Sequence, residues 1–325
     1  IKSHNLSSRR TVLVSDDRHA GDLVNLGHMD YNVRRAIQEG IDPIDAITMA
    51  TLNTAEHFRV DTEIGGIGPG KCADIVLTRD LNSMKAETVI ANGQVVAKNG
   101  VLVVKIASKR FPQRSLRTVR LKRPLKPQDF VVASDVEDDA ARTTVIDTSG
   151  EILTKKTCED LPVRGFQIQC DPGRDILKIA VVERHKRTGN IGRGFVRGFG
   201  LKAGAIASSV AHDSHNICVV GVNDSDMAAA VNEMAKLQGG LVVTKDGRAL
   251  AELALPFAGL MSTQSIEEVS RGEEHLSEVV RSLGCVLASP FMVMSFLSLA
   301  VIPEIRLTDK GLVDVRAAKF ISATC

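Results

Sequence analysis

The 325-residue sequence has no tryptophan and one tyrosine, Tyr31, and its aromatic content is 3%. Surfaces that hold single-stranded nucleic acid stack bases on aromatic rings, so this scarcity argues against such a binder. Charge of one sign is also lacking. Forty-one Lys and Arg stand against 39 Asp and Glu, and the net charge of +2 is too small to argue for nucleic acid or a membrane surface. No run is apolar enough to span a bilayer, and no signal peptide opens the chain. The six cysteines (Cys72, Cys158, Cys170, Cys218, Cys285, Cys325) form no C-x-x-C pair and no clustered framework, which fits a reducing cytoplasm better than secretion. The glycines match neither G-x-G-x-x-G nor the P-loop. The G-x-S-x-G elbow, H-E-x-x-H and H-x-E…P-C-x-x-C are missing as well.

What is present is an ordinary globular balance, 44% hydrophobic and 25% charged, on a chain long enough for two or three domains. Ile1 to Arg10 is polar and reads as the tail of something preceding, so a fragment, a cleaved product or an incomplete reading frame is expected. Thr11-Val12-Leu13-Val14 then reads as a short buried strand. It delivers Ser15-Asp16-Asp17-Arg18-His19 at its end, as a (β/α)-barrel strand delivers side chains to an active-site face. Asp16 is the candidate metal ligand or proton carrier. A turn or helix cap is the plainer alternative.

Helical spacing of Met29, Val33, Ala36 and Ile37 predicts a helix between Gly27 and Gly40. Asp42 and Pro43 open another, carrying Ile44, Ile47, Thr51 and Ala55 to about Phe58. His28 and His57 fall near helix ends and read as capping or surface groups. From Ile64 the pattern turns to strands at Ala73–Leu77, Thr88–Ala91, Gln94–Ala97 and Val101–Val104, with hairpin turns at Asn92-Gly93 and Asn99-Gly100. Lys109 to Lys126 is a basic run without an acid, read as a solvated linker or edge strand, with a polyanion site as the lesser alternative. The acids Asp135, Glu137, Asp138 and Asp139 could pair with it. Beyond lie a strand at Ile176–Val182, a helix capped by Asp224, strands around Asp246-Gly247, a helix over Ser265–Leu283 and an apolar core segment at Phe291–Val301.

Two later stretches could carry chemistry. Ser208 to Asn216 ends in His212, Asp213, Ser214, His215 and Asn216 between apolar runs. Polar groups so placed need partners or a task, because burying one unpaired costs about 2–7 kcal/mol. The histidines could hold a metal, hydrogen-bond a ligand or orient a metal-bound water, or the stretch could be a satisfied polar loop. Glu183-Arg184-His185 and the glycines from Gly189 to Gly204 read as tight turns and close backbone approach.

The stretches Ser15–Leu23, Gly27–Ala36, Met49–Ala55, Gly65–Val76, Ser208–Asn216, Leu255–Ser262 and Pro290–Asp314 together resemble the C-terminal portion of bacterial adenine deaminases, a family of the amidohydrolase superfamily. The resemblance implies an α/β chain. Residues 1–62 would be the last strand and helices of a metal-dependent hydrolase (β/α)8 barrel, and 63–107 part of a flanking β-sandwich. A basic linker at 108–129 would lead to an α+β C-terminal domain at 130–325. It further implies hydrolysis of adenine to hypoxanthine and ammonia in purine salvage, at a Mn2+ or Fe2+ centre whose hydroxide attacks the amino-bearing ring carbon. Asp16 would bind the metal and carry the proton, with Asp17 a catalytic neighbour. His19, His212, Asp213, Ser214, His215 and Asn216 would bind substrate. The family's other metal ligands have no counterpart here, so the chain alone is expected to be inactive. It would work as a homo-oligomer or with the missing N-terminal half. The alternatives are a non-catalytic binding or regulatory fragment, or another cyclic amidohydrolase.

Overall fold

The computed structural model describes residues 6–107, 111–137, 139–148 and 152–325. The first residues of the polar start, Lys109 and Arg110 of the basic run, and Asp138 of the acidic cluster lie outside the described residues. The chain mixes helices and sheets and divides into two units, Ile1–Arg110 and Phe111–Cys325.

The first unit begins with four helices: α1 (Ala20–Asn25), α2 (Met29–Gln38), α3 (Pro43–Ala50) and α4 (Leu52–Phe58). Asp42 caps α3 as expected. Its carboxylate accepts from the N–H of Ile44 at 2.9 Å, and Pro43 fills the first position, where no donor is needed. The single helix expected from Pro43 to Phe58 is broken at Thr51 (φ −126°, ψ −87°), whose hydroxyl donates back to the Ile47 carbonyl at 2.7 Å. A β-branched residue bonding to its own preceding turn weakens the helical ladder there.

Thr11–Val14 corrects a second expectation. The backbone is extended at Thr11, yet the segment is not part of any strand ladder among the described residues. Its polar groups are met by helices instead. Leu13 N–H donates to the Met49 carbonyl at 3.0 Å, Asn53 Nδ2 to the carbonyls of Ser8 (2.9 Å) and Thr11 (2.8 Å), and Asn32 Nδ2 to that of Val14 (2.9 Å). Local propensity sets an extended backbone, but a strand also needs a neighbour.

The unit ends in a four-stranded antiparallel sheet in sequential order, β1 (Ile75–Thr78), β2 (Ala86–Ala91), β3 (Gln94–Lys98) and β4 (Val101–Leu102). Both Asn-Gly turns form, with positive φ at Asn92, Gly93, Asn99 and Gly100, the geometry that matches strand twist.

The second unit is built on a ten-stranded sheet. Its strands are β5 (Val132–Ala133), β6 (Asp139–Asp147), β7 (Lys155–Arg164), β8 (Gln167–Ile168) and β9 (Ile176–Val182). They continue with β10 (Ile191–Arg197), β11 (Ala205–Ser208), β12 (Ile217–Gly221), β13 (Gly240–Lys245) and β14 (Arg248–Ala254). The spatial order is β14-β13-β11-β12-β9-β10-β6-β7-β8-β5. Neighbours run antiparallel except β10 beside β6.

Three helices complete this unit: α5 (Asp224–Leu237), α6 (Ile266–Ser282) and α7 (Pro290–Phe296). A small sheet of β15 (Ile305–Thr308), β16 (Gly311–Asp314) and β17 (Lys319–Ile321) joins them. The period of two along the central strands sorts the core. Ala180, Val182, Ala205, Ala207, Ile217, Val219 and Val242 pack with Met227, Ala230, Val231 and Met234 of α5. Leu177, Ile179, Val181, Ile206, Val220 and Val243 belong to a cluster with α6, α7 and the small sheet, through Leu276, Val280, Met294, Ile305 and Leu312. Burying both faces explains why β9 reads as a continuous apolar run. The exception in β9 is Lys178, whose Nζ bonds both oxygens of Asp224 at 2.7 and 2.9 Å. Asp224 was expected to cap α5; the cap is Asn223, whose side-chain oxygen accepts from Asp226 N–H at 2.8 Å. Ser265 and Glu268 make a reciprocal capping box on α6.

The cysteine spacing fits a reducing compartment and shows no clustered framework, yet Cys158 and Cys325 form a disulfide across 167 residues. It ties β7 to the C-terminal residue, a pairing that no local spacing could reveal.

Candidate functional site

The acids that follow Thr11–Val14 sit just before α1. Asp16 and Asp17 are exposed, and His19 is half-buried at the N-cap position of α1 without a side-chain cap bond. Asp16 is neither the cap of α1 nor, among the described residues, engaged in a hydrogen bond or ion pair. Arg18 lies over the Tyr31 ring with 4.8 Å from guanidinium carbon to centroid, which fixes the residue between Asp17 and His19 against α2.

The other candidate stretch is the turn between β11 and β12. Three segments meet on it, and Arg184, 1% exposed, ties them together. Its Nε donates to the His215 carbonyl, its Nη2 to the Ala258 carbonyl at 3.1 Å, and its Nη1 to Thr118 Oγ1 at 3.3 Å. Gly259 stands so close that a Cβ there would lie 2.5 Å from Nη1. Burial pushes the Arg184 guanidinium down to about 10, still charged near neutral pH. Its backbone N–H donates to Asn216 Oδ1 at 3.3 Å, and Asn216 Nδ2 donates to Asp309 at 3.3 Å. Asn216 is therefore a buried strut between the β9–β10 connection and the β15–β16 turn.

The turn above the strut is bent on itself. Ala211 N–H donates to His215 Nδ1 at 3.3 Å, and His215 N–H to the Ala211 carbonyl at 2.7 Å. With Nδ1 an acceptor, the ring proton of neutral His215 belongs on Nε2. Burial, followed by the charges of His212 and Arg184, pushes His215 below its ordinary value. The His212 and His215 rings lie 5.5 Å apart, and His212 also stacks obliquely on Phe296 of α7 at 5.1 Å. His212 N–H donates to the Ser295 carbonyl at 2.8 Å, and its own carbonyl accepts from Ser298 at 2.9 Å. Asp213 and Ser214 are exposed at the tip, where the Ser214 carbonyl lies 2.7 Å from His185 Nε2.

The stretch His212–Asn216 thus divides by role. Asn216 and the backbone of His215 are committed to the scaffold. The rings of His212 and His215 with Asp213 and Ser214 form a partly exposed surface of donors and acceptors. Sequence reading missed Asp309, which carries no local signal. It noted Arg184 only within a turn-rich stretch. The close approach read from the glycines is real: a Cβ on Gly192 would meet the Thr308 carbonyl oxygen at 1.8 Å.

Among the described residues, no three His, Cys, Asp or Glu side chains come together as a metal-ligand set. Asp16, Asp17 and His19, and separately His212, Asp213 and His215, therefore do not by themselves fit the centre implied by the resemblance. No helix among the described residues is long and apolar enough to cross a membrane.

Two known protein families match parts of the chain. The amidohydrolase family matches residues 3–96, and the adenine deaminase C-terminal domain matches residues 151–319. An adenine deaminase of Clostridium botulinum (strain Loch Maree / Type A3) is 44% identical over 323 residues, 99% of this chain and 54% of that protein. The adenine deaminase of Moorella thermoacetica is 45% identical over 97% of this chain and 53% of its own length, and that of Staphylothermus marinus 41% over 99% and 53%. The chain spans about half the length of the curated relatives it matches. Since one domain model covers more than half of its residues, the chain belongs to the adenine deaminase C-terminal domain family.

Proposed function

We propose that this chain is the C-terminal part of an adenine deaminase, which converts adenine and water to hypoxanthine and ammonia. The observation that carries the reading is the 44% identity to such a protein over 99% of the chain, with both candidate stretches inside the match. In the reaction, water oxygen adds to the amino-bearing carbon, the C–N bond breaks, and the nitrogen leaves as ammonia with a proton from the attacking water. An exposed carboxylate at the end of an extended segment is suited to carry that proton, and Asp16 is assigned this role with Asp17 beside it. Within the first unit, His19 is assigned a substrate contact beside these acids; within the second, His212, Asp213, Ser214 and His215 are assigned substrate contacts, with Nε2–H of His215 a donor near neutral pH, and Asn216 would hold that turn in place.

The finer architecture follows the same reading. Thr11–Val14 is assigned as the last strand of a (β/α)8 barrel, which explains an extended segment held by amide side chains from helices. Residues 63–107 are assigned to a β-sandwich. A missing layer over one face would account for the exposure of Val76 (56%) and Leu102 (58%), which the Val76–Val89–Ala97–Leu102 pairing places on the same side of the sheet. A manganese or iron centre would draw its remaining ligands from residues outside this chain, as a separate half or another part of the parent protein.

Ammonia release from adenine by the purified chain, with Mn2+ or Fe2+ supplied, tests the reading. Little or no turnover is expected from the chain alone. Strong turnover without a partner would overturn the assignment of missing parts, and preferential turnover of a cyclic amide would favour another amidohydrolase.

A further inference from the structure

The basic run read from the sequence is not absorbed by this function, and the fold gives part of it a shape. Arg117 and Arg120, from the segment after Phe111, meet Arg187, from the β9–β10 connection, around a recess of about 450 Å³ whose remaining lining is Val119 and Gln238. No carboxylate lines it. Among the described residues none of these three guanidinium groups is engaged in an ion pair, whereas Arg123 of the same run is paired with Asp129 at 2.6 Å.

The backbone under the recess is fixed before any ligand arrives. Arg120 N–H donates to the Arg184 carbonyl at 2.8 Å, and Val119 N–H to Gln238 Oε1 at 3.3 Å. Val119 is buried against α5. Arg187 has positive φ (57°) in a loop wound around the Glu183 carboxylate, which accepts from the N–H groups of His185, Lys186 and Thr188 and from the Thr188 hydroxyl. Burial alone would raise the Glu183 carboxyl. The backbone donors of Lys186, Thr188 and His185 outweigh it and hold the group below its ordinary value. The Glu183 carboxylate is thus spent on shaping the loop that presents Arg187.

We propose that this recess binds the phosphate group of a small molecule. Three planar guanidinium forks around one concavity match the oxygens of a phosphate or diphosphate. A nucleic-acid strand is disfavoured because the charges surround a recess instead of lining a stripe. The head of the run offers a single aromatic ring, Phe111, which is 44% exposed and packs on Phe257 with centroids 4.9 Å apart, too little for a platform on which successive bases stack. Gln238 gives little base readout, since its oxygen is bonded to Val119 and its Nε2 donates to the Ala235 carbonyl at 2.7 Å. Recognition rests on charge and shape.

The test is titration calorimetry on the 325-residue chain with inorganic phosphate, pyrophosphate, AMP and adenosine, beside a single-stranded RNA oligomer. Saturable one-to-one binding of a phosphate-bearing ligand is expected, weakened by salt, with no binding of adenosine at this recess. Stronger binding of AMP than of pyrophosphate would identify a nucleotide as the source of the phosphate, and the reverse a free polyphosphate. The double variant Arg120→Ala/Arg187→Ala should weaken binding at least tenfold. Arg142→Ala, an exposed arginine on β6, should leave it unchanged. Both altered arginines are exposed, so an unchanged melting temperature accompanies the expected loss. Absence of saturable binding, equal affinity in the double variant, or binding of RNA alone would overturn the proposal.

Discussion

The two units are built from similar residue types, yet they bury them to different degrees. In Phe111–Cys325, three clusters collect nearly every apolar side chain of the central strands on both faces of the sheet. In Ile1–Arg110, the buried apolar residues among those described are Ala20, Val33, Ala46, Met49 and Ala55, while Val14, Ile44, Phe58, Ile67, Val101 and Ile106 are exposed. A fully buried aliphatic or aromatic side chain contributes about 1.5–3 kcal/mol. The second unit therefore has the means to fold by itself, and the first does not. The difference teaches that family membership and autonomy are separate: the part carrying Asp16 is the part without its own core.

The largest effect that could break this comparison comes from separating the units. A piece spanning 111–325 should unfold in guanidinium chloride with one cooperative transition, and a piece spanning 1–110 should show none. Next in size are core deletions in the second unit. Phe195 is fully buried, and Phe195→Ala should cost about 3–5 kcal/mol in chemical denaturation. Arg184→Ala removes the donor shared by the His215 and Ala258 carbonyls and should cost about 1.5–3 kcal/mol. A matched pair then sharpens the contrast: Val220→Thr, in the buried sheet, should destabilise by about 1–3 kcal/mol, but Val101→Thr, on the exposed sheet of the first unit, by less than about 0.5 kcal/mol. Smallest is a pH effect. Folding lowers the value for His215 from the ordinary 6.5, so the unfolded chain takes up a proton first as pH falls. Its contribution is present above pH 6.5 and is lost as pH drops through the folded value. His215→Asn should flatten that slope in melts between pH 7.5 and 5.

The same contrast decides what could be read from the sequence. Where structure comes from local pattern, the residues announce it: the β9 run, the Asp246-Gly247 hairpin, the capping box at Ser265, and both Asn-Gly turns. Where it comes from distant partners, they do not. β10 holds Gly192 and Gly194, which lower strand propensity, yet their missing side chains are what allow Thr308 and Leu312 to approach. Thr11–Val14 shows the reverse failure, a strand-like sequence without a strand beside it. At the candidate site, the cluster His212–Asn216 was visible because polar residues interrupt apolar runs. The separation of Asn216 as scaffold from the histidine rings was not visible, because it depends on Arg184 and Asp309, 32 residues before and 93 residues after Asn216.

The most direct measurement is complementation. The chain would be mixed or co-expressed with the first half of the Clostridium botulinum relative, and ammonia release from adenine followed for the native sequence and for Asp16→Asn. Turnover that appears on mixing and falls by about 10²–10⁴ with Asp16→Asn, while the melting temperature stays put, is the predicted result. Undiminished turnover with Asp16→Asn would contradict the account.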